Sequence, residues 1–302
     1  MLLVAGAGGF LGHHLAQAAF TAGKKLTLVA RRDISSRLPV TTVNADLSDP
    51  VAVNDLLLTV KASCVINCAA FTDVDRCERE PALAHQGNVK IPATLAAACA
   101  ASGSHLVHIS TDSVFDGARG DYTESDVPSP VNAYARSKLE GERAVMQAMP
   151  HALILRTNFI GPSVSGKSGL ADWIAGAVSQ GQPIRGFTDV IFSPLFVNDL
   201  AQVILTSIDA GLSGIYHASA RDSISKYDFA VRLARSIGGD ETLVSPATID
   251  DATFAAPRPR NTSLSPAKLS AALGREMPSV DDTIGAYAAL HAVPSKETTF
   301  LR

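Results

Sequence analysis

A doubly wound, mostly parallel α/β sheet with a smaller C-terminal substrate-binding lobe is the fold class this sequence predicts, on three observations. A glycine loop follows directly on the first apolar run, apolar runs then alternate with helix-prone stretches to about residue 160, and beyond that point the alternation lapses. The opening run, Leu2-Leu3-Val4-Ala5, reads as a buried strand, and Gly6-Ala7-Gly8-Gly9-Phe10-Leu11-Gly12 leads into an alanine-rich helix over 9–22. Further strands are expected at 25–30, 40–44, 63–68, 104–110 and 152–160, with helices at 50–60, 80–102 and 132–149, the rhythm of right-handed βαβ units.

After residue 160 the pattern predicts a helix at 168–180, a short strand at 183–187, a helix at 197–209, a short strand at 214–218, and helices at 225–237 and 279–291. Pro and Gly gather in the joins, as in Gly181-Gln182-Pro183 and Ala256-Pro257-Arg258-Pro259. This divides the chain into a dinucleotide-binding domain, 1–159 plus about 195–218, and a substrate-binding lobe, about 160–194 plus 219–302.

Composition excludes several classes. The 302 residues carry 26 Lys+Arg against 29 Asp+Glu, a net charge of -3, and no basic block exceeds the pairs Lys24-Lys25 and Arg31-Arg32, so no nucleic-acid partner is expected. Cys64, Cys68, Cys77 and Cys99 lack paired C-x-x-C spacing and read as reduced core or near-core thiols. No two histidines show zinc spacing and no metal is expected; His108 sits mid-strand as a core residue, and His13 and His14 open the first helix. No apolar run approaches a membrane span and no basic segment precedes the apolar N-terminus, so the expectation is a cytoplasmic protein.

Two glycine-rich loops imply different chemistry. Residues 161–168, Gly-Pro-Ser-Val-Ser-Gly-Lys-Ser, match the phosphate-loop pattern G-x-x-x-x-G-K-[ST] between a strand-like run and a helix. Such a loop would turn over a nucleoside triphosphate through Lys167, but it also needs a downstream apolar strand ending in Asp, and 190–199 is broken by Ser193-Pro194. A chance match is expected in on the order of one chain in a hundred. The N-terminal loop instead suits a dinucleotide, its backbone N–H groups around Gly6, Gly9, Phe10, Leu11 and Gly12 approaching the pyrophosphate at a helix start.

Its companions agree with that reading. The second strand ends at Arg31-Arg32, about where a residue reading the ribose belongs, and two guanidiniums suit a 2′-phosphate; NADP(H) is therefore favoured and NAD(H) is the alternative. The plainer alternative for Arg31 and Arg32 is a pair of solvated surface arginines. Asp46-Leu47 closes the third strand, where a side chain can meet the adenine.

Tyr134-Ala135-Arg136-Ser137-Lys138 puts a phenol and an amine one turn apart on a helix, where both reach one point. The ammonium is expected to lower the phenol's ordinary pKa near 10 and make it a usable proton donor. The fifth strand ends in Ser110-Thr111-Asp112, which brings hydroxyls to the same sheet edge.

These blocks, with residues 67–78, 110–117, 139–142, 156–157, 214–217, and 258–261 with Leu264, resemble the extended short-chain dehydrogenase/reductases, a Rossmann-like fold, and within them the dTDP-4-dehydrorhamnose reductase family. The resemblance implies that Tyr134 protonates a sugar keto oxygen, Lys138 tunes the phenol and holds the nicotinamide ribose, and Thr111 orients the oxygen. It implies that Ala69 and Ala70 pass along the cofactor, that Thr72, Val74, Asp112, Phe159, Arg258 and Asn261 border a sugar nucleotide, and that the reaction reduces a nucleotide-linked 4-keto-6-deoxy sugar. A homodimer is a further option within the family. Ser113 and Phe159 stand where the family usually has Tyr and often Trp, which shrinks the aromatic surface beside the hexose. The β subunit of methionine adenosyltransferase shares these motifs, so a non-catalytic NADP-binding regulatory subunit is the alternative function.

Overall fold

The structure is a computed structural model that describes residues 1–31, 38–163 and 169–291. Its elements in chain order are β1 (Leu2–Ala5), α1 (Phe10–Thr21), β2 (Leu26–Ala30), β3 (Thr41–Asn44), α2 (Pro50–Val60), β4 (Cys64–Asn67), α3 (Val74–Arg79), α4 (Pro81–His85), α5 (Ile91–Ser102), β5 (His105–Thr111), α6 (Ala133–Ala148), β6 (Leu153–Thr157) and β7 (Phe159–Ile160). There follow α7 (Leu170–Ser179), β8 (Ile184–Phe187), β9 (Ile191–Phe192), β10 (Leu195–Phe196), α8 (Val197–Asp209), β11 (Gly214–Ala218), β12 (Ile224–Ser225), α9 (Lys226–Ser236), β13 (Val244–Ala247), α10 (Ala267–Leu273) and α11 (Val280–Ala289).

Seven parallel strands form one sheet in the order β11-β6-β5-β4-β1-β2-β3. The central strands are apolar on both faces because both are covered: Leu3, Val65 and Leu106 pack with α2, α5 and α6, while Val4, Ile66 and Val107 pack with α1, α7 and α8. The strand order reverses between β1 and β4, so the loops leaving their carboxyl ends part and open the crevice where such sheets take ligands. The second of these cores continues without a break into α9 and α11 of the C-terminal segment through Phe192, Phe229, Leu233, Ile284 and Tyr287.

Two elements depart from the sequence pattern with physical cause. The helix expected over 80–102 is present but carries a π turn at Gln86–Lys90. Pro92 has no N–H to give the carbonyl four residues back, that of Asn88, and its ring excludes a regular turn there. The freed carbonyl lies against Gly141 of α6, where any Cβ would collide with it. The strand expected over 152–160 breaks at Asn158, after which β7 leaves the main sheet to pair with β10. The elements α3, α10, β13 and the two-residue strands β9, β10 and β12 are too short to register as periodic patterns.

Candidate active site

The cofactor crevice is built from the first strand–turn–helix. Gly6 has φ +79°, the left-handed region, and a Cβ there would lie 2.6 Å from the Ala69 backbone nitrogen, so only glycine lets the loops after β1 and β4 touch. At Gly12 a Cβ would collide with the Gly6 carbonyl, and its absence lets α1 start tight against the loop. The N-cap of α1, Gly9, makes no side-chain capping bond, and no acidic residue stands in the first turn, so the first amides of α1 are left for an anion. Leu11 is buried in the core, which leaves its backbone as the part facing the crevice. These features fit the pyrophosphate of a dinucleotide.

At the rim, Asp46 accepts from the Ser48 amide at 2.9 Å and the Ser48 hydroxyl at 2.7 Å. Those bonds, with lesser pulls from the Lys90 and Arg31 charges, hold its carboxyl below the usual range. Leu47 is buried beside it. Arg31 is exposed at the end of β2, while Arg32 lies outside the described residues. Ala69 is half-buried and Ala70 exposed at the end of β4, where the Ala69 amide donates to Asn67 Oδ1 at 3.0 Å.

The catalytic candidates meet across β5 and α6. Asn132 caps α6 by accepting from the Ala135 amide at 2.8 Å, and its Nδ2 donates to the Pro257 carbonyl at 2.9 Å, which ties the start of the catalytic helix to the C-terminal segment. Tyr134 and Lys138 follow at i and i+4, with Glu142 four residues further. The Lys138 ammonium is buried and donates to the Ile109 carbonyl at 2.7 Å. Burial pushes it down to about 8, opposed by the Glu142 charge and by Cys68.

The phenol corrects the sequence expectation. Burial pushes Tyr134 up to about 12; the Thr111 hydroxyl, bonded to it, opposes the rise, and the Asp112 charge adds to it. Lys138 is not among the groups that act on the phenol and desolvation dominates, so Tyr134 holds its proton at neutral pH, the form that can donate to a carbonyl oxygen.

Thr111 and Ser110 divide their labour. Thr111 is buried at the tip of β5, its hydroxyl donating to Asp112 Oδ1 at 3.1 Å and accepting from the Ser113 amide at 3.2 Å. Ser110 turns to Glu142 Oε1 at 2.5 Å, where Arg156 also lies, donating at 2.7 Å to Oε2 and at 3.0 Å to Oε1. This ion pair is buried, and the Arg156 guanidinium lies 5.2 Å from the centre of the Phe115 ring. It forms the floor beneath the lysine.

The expected substrate residues are distributed over three elements. Thr72 is exposed and Val74 half-buried where α3 begins. The next residue, Asp75, accepts from the Ala256 amide at 3.0 Å and pairs with Arg258 at 2.9 Å, bringing 256–258 over against α3. Asp112 is buried and accepts at Oδ2 from Asn158 at 2.9 Å and Thr262 at 2.7 Å. Phe159 stacks tilted on Phe10, 5.5 Å between ring centres, at the mouth of the glycine loop. The Asn261 side chain is engaged with the 119–120 loop and Ser263. It donates to the Arg119 carbonyl at 3.2 Å, accepts from the Ser263 hydroxyl at 2.8 Å, and packs under Gly120, which holds the loop over 117–120 in place.

Known proteins share this fold. The family model described as the RmlD substrate binding domain matches residues 1–291. The chain belongs to this family. It is 36% identical over 267 residues to a dTDP-4-dehydrorhamnose reductase of Mycobacterium tuberculosis, covering 86% of this chain and 83% of that one. It is also 32% identical over 238 residues to methionine adenosyltransferase 2 subunit beta of Danio rerio, covering 75% and 72%. A dTDP-4-dehydrorhamnose reductase from Bacillus anthracis, solved in complex with NADP, superposes with a TM-score of 0.83 at 26% identity, covering 96% and 98%.

Several residues of this RmlD-family site carry no local sequence signal. Asn88, turned by the π bulge, accepts from the Phe71 amide at 2.8 Å and donates to the Phe71 carbonyl and the Ser137 hydroxyl, both at 2.9 Å, so it clamps the loop after β4 to the catalytic helix. Asn158 and Thr262 orient Asp112 from two distant segments. Asn67 bonds the buried His108 ring at 3.0 Å. The bulge is legible in principle from Pro92 inside a helical pattern; the others are not.

The second glycine loop is described only in part, since Gly166, Lys167 and Ser168 lie outside the described residues. Of the rest, Gly161 packs against Val197 and Phe10, and the Ser163 amide donates to Asp172 at 2.7 Å in the first turn of α7. A carboxylate thus occupies an amide that a phosphate loop would turn to its ligand.

Proposed function

We propose that this chain is an NADP(H)-preferring reductase of a nucleotide-linked 4-keto-6-deoxy sugar, acting as its dTDP-4-dehydrorhamnose reductase relatives do. The observation that carries this reading is the convergence of a protonated phenol, the Thr111 hydroxyl and the buried Lys138 ammonium at the carboxyl edge of the sheet, beside a loop shaped for a pyrophosphate. A bound nicotinamide dinucleotide supplies the hydride. Tyr134 gives its proton to the keto oxygen, Thr111 orients that oxygen, and Lys138 holds the nicotinamide ribose while its charge stabilises the phenolate left behind. The first amides of α1 hold the pyrophosphate, Ala69 and Ala70 flank the cofactor, Asp46 and Leu47 border the adenine, and Arg31 with Arg32 meet the 2′-phosphate.

On the substrate side, Thr72, Val74, Asp112, Phe159 and Arg258 border the sugar nucleotide, with Asn261 supporting the loop that closes one end. All four cysteines are free thiols, and burial holds Cys64, Cys68 and Cys99 up at about 12, which suits a reducing compartment such as the cytoplasm. Among the described residues no helix is long and apolar enough to cross a membrane.

The test is to follow NADPH and NADH consumption against dTDP-, UDP- and GDP-linked 4-keto-6-deoxy sugars. Turnover with at least one, faster with NADPH, is expected. The likeness to a methionine adenosyltransferase β subunit favours a second reading, a regulatory NADP-binding subunit. No turnover on any keto sugar, together with a synthetase as the dominant pull-down partner, would replace the first reading by the second.

A further inference from the structure

Lys226 is the first residue of α9, in the C-terminal segment, far along the chain from the catalytic motifs. Its backbone is pinned: the amide donates to the Val190 carbonyl at 2.8 Å, and β12 just before it pairs antiparallel with β9. Its half-buried side chain crosses that pair so that the ammonium lies 3.1 Å from the centre of the buried Phe192 ring. The neighbouring residue, Ile191, is bonded on to the 260–262 segment, where Thr262 donates to Asp112. Through that segment the ammonium comes near enough to Asp112 to feel its charge, and Asp112 in turn is bonded to Thr111.

Among the described residues Lys226 lacks a counter-ion, where several arginines of the neighbouring segments have one. Arg258 is paired with Asp75, Arg260 with Asp189 and Asp250, Arg185 with Asp251, and Arg119 with Asp126. The Lys226 ammonium makes no hydrogen bond or ion pair among the described residues; an aromatic face is its close partner. Asp112 cannot serve, because Thr111, Ser113, Asn158 and Thr262 already occupy its oxygens. Burial accordingly pushes the lysine down to about 7. A desolvated ammonium held on a ring face is stabilised by an anion that comes within reach of it.

We propose that Lys226 is a substrate-positioning residue that binds the diphosphate of the sugar nucleotide across the cleft from the cofactor. This rests on the sugar-nucleotide reading of the site: the hexose of a 4-keto-6-deoxy substrate is uncharged, so the diphosphate is the one anion it brings to that wall. Charge on the diphosphate restores the ammonium form and fixes the distance between the nucleotide and the keto carbon, which Tyr134 and Thr111 meet at the other end.

The test is calorimetric titration of dTDP, UDP and GDP into the full chain saturated with NADP, for the natural protein, K226M and K226R. Lys226→Met is expected to weaken the best-bound diphosphate about tenfold or more, the scale of one charge-assisted hydrogen bond, and to raise KM for the sugar nucleotide with kcat nearly unchanged. Lys226→Arg should retain most of the affinity, and NADPH affinity should stay the same in all three, which also reports an intact fold. Unchanged diphosphate binding in K226M, or equal loss in K226R and K226M, overturns the assignment of Lys226 alone. If the natural protein binds none of the three diphosphates, the sugar-nucleotide reading falls and this proposal with it.

Discussion

The cleft has two walls of opposite construction. The sheet wall, from β4, β5 and α6, buries its charges: Glu142 and Arg156 are 3% exposed and sealed by Ser110 and Phe115, and Lys138 is held on a strand carbonyl. The C-terminal wall keeps its pairs at the surface, with Arg260 47% exposed against Asp189 and Asp250. Low dielectric makes the first wall stiff and its proton affinities strongly displaced; water screens the second. Chemistry common to a family belongs on the stiff wall.

Substitutions on the two walls should separate accordingly. Tyr134→Phe removes the phenolic proton from the stiff wall and should lower turnover about a thousandfold, with NADPH affinity by fluorescence nearly unchanged; retained turnover would break the assignment of the donor. Arg156→Met strands the Glu142 carboxylate in the interior and should cost about 3 kcal/mol, read as a lower midpoint in urea unfolding.

Acid should find the same wall next. His217 is fully buried, its Nδ1 bonded to the Tyr122 carbonyl at 2.9 Å, and burial with the nearby Arg156 charge pushes it down to about 4. Between the ordinary histidine value of 6.5 and about 4, the unfolded chain binds a proton that the folded one refuses, so stability falls as pH is lowered through that window. His217 alone should contribute a loss on the order of 2 kcal/mol between about pH 6.5 and 4.5, to which the buried His108 adds, so His217→Gln should show a loss smaller by about that amount, by denaturation at each pH. Smallest of all, Arg260→Ala on the outer wall should change stability by less than about 1 kcal/mol in spite of its two acidic partners. A large loss there would erase the contrast between the walls.

The proposed catalytic trio can be read from the sequence because each member is set by local geometry. A strand end delivers Thr111 and a single helical turn delivers Tyr134 and Lys138, whatever the rest of the chain does. The direction of the Tyr134 shift escapes such a reading for the opposite reason: it depends on how much water the fold removes, and that is a sum over neighbours from several segments. Asn158, Thr262, Asn88 and Lys226 are hidden because an isolated Asn, Thr or Lys has no periodicity, and each acquires its role from a partner at long sequence separation, as Thr262 does from Asp112. Asn261 shows the converse, a residue in a matching motif whose side chain is also bonded to Arg119 and Ser263, partners the motif does not name.

By itself the sequence determined the alternation of strands and helices, the glycine loop and the placement of the reactive trio, because backbone sterics and side-chain periodicity act over a few residues. The tertiary structure alone decided which protons stay bound, which arginines are already neutralised and that Lys226, among the described residues, has an aromatic face beside it and no acid bonded to it. Those outcomes depend on burial and on charges brought together from segments far apart in the chain, and no local pattern contains them.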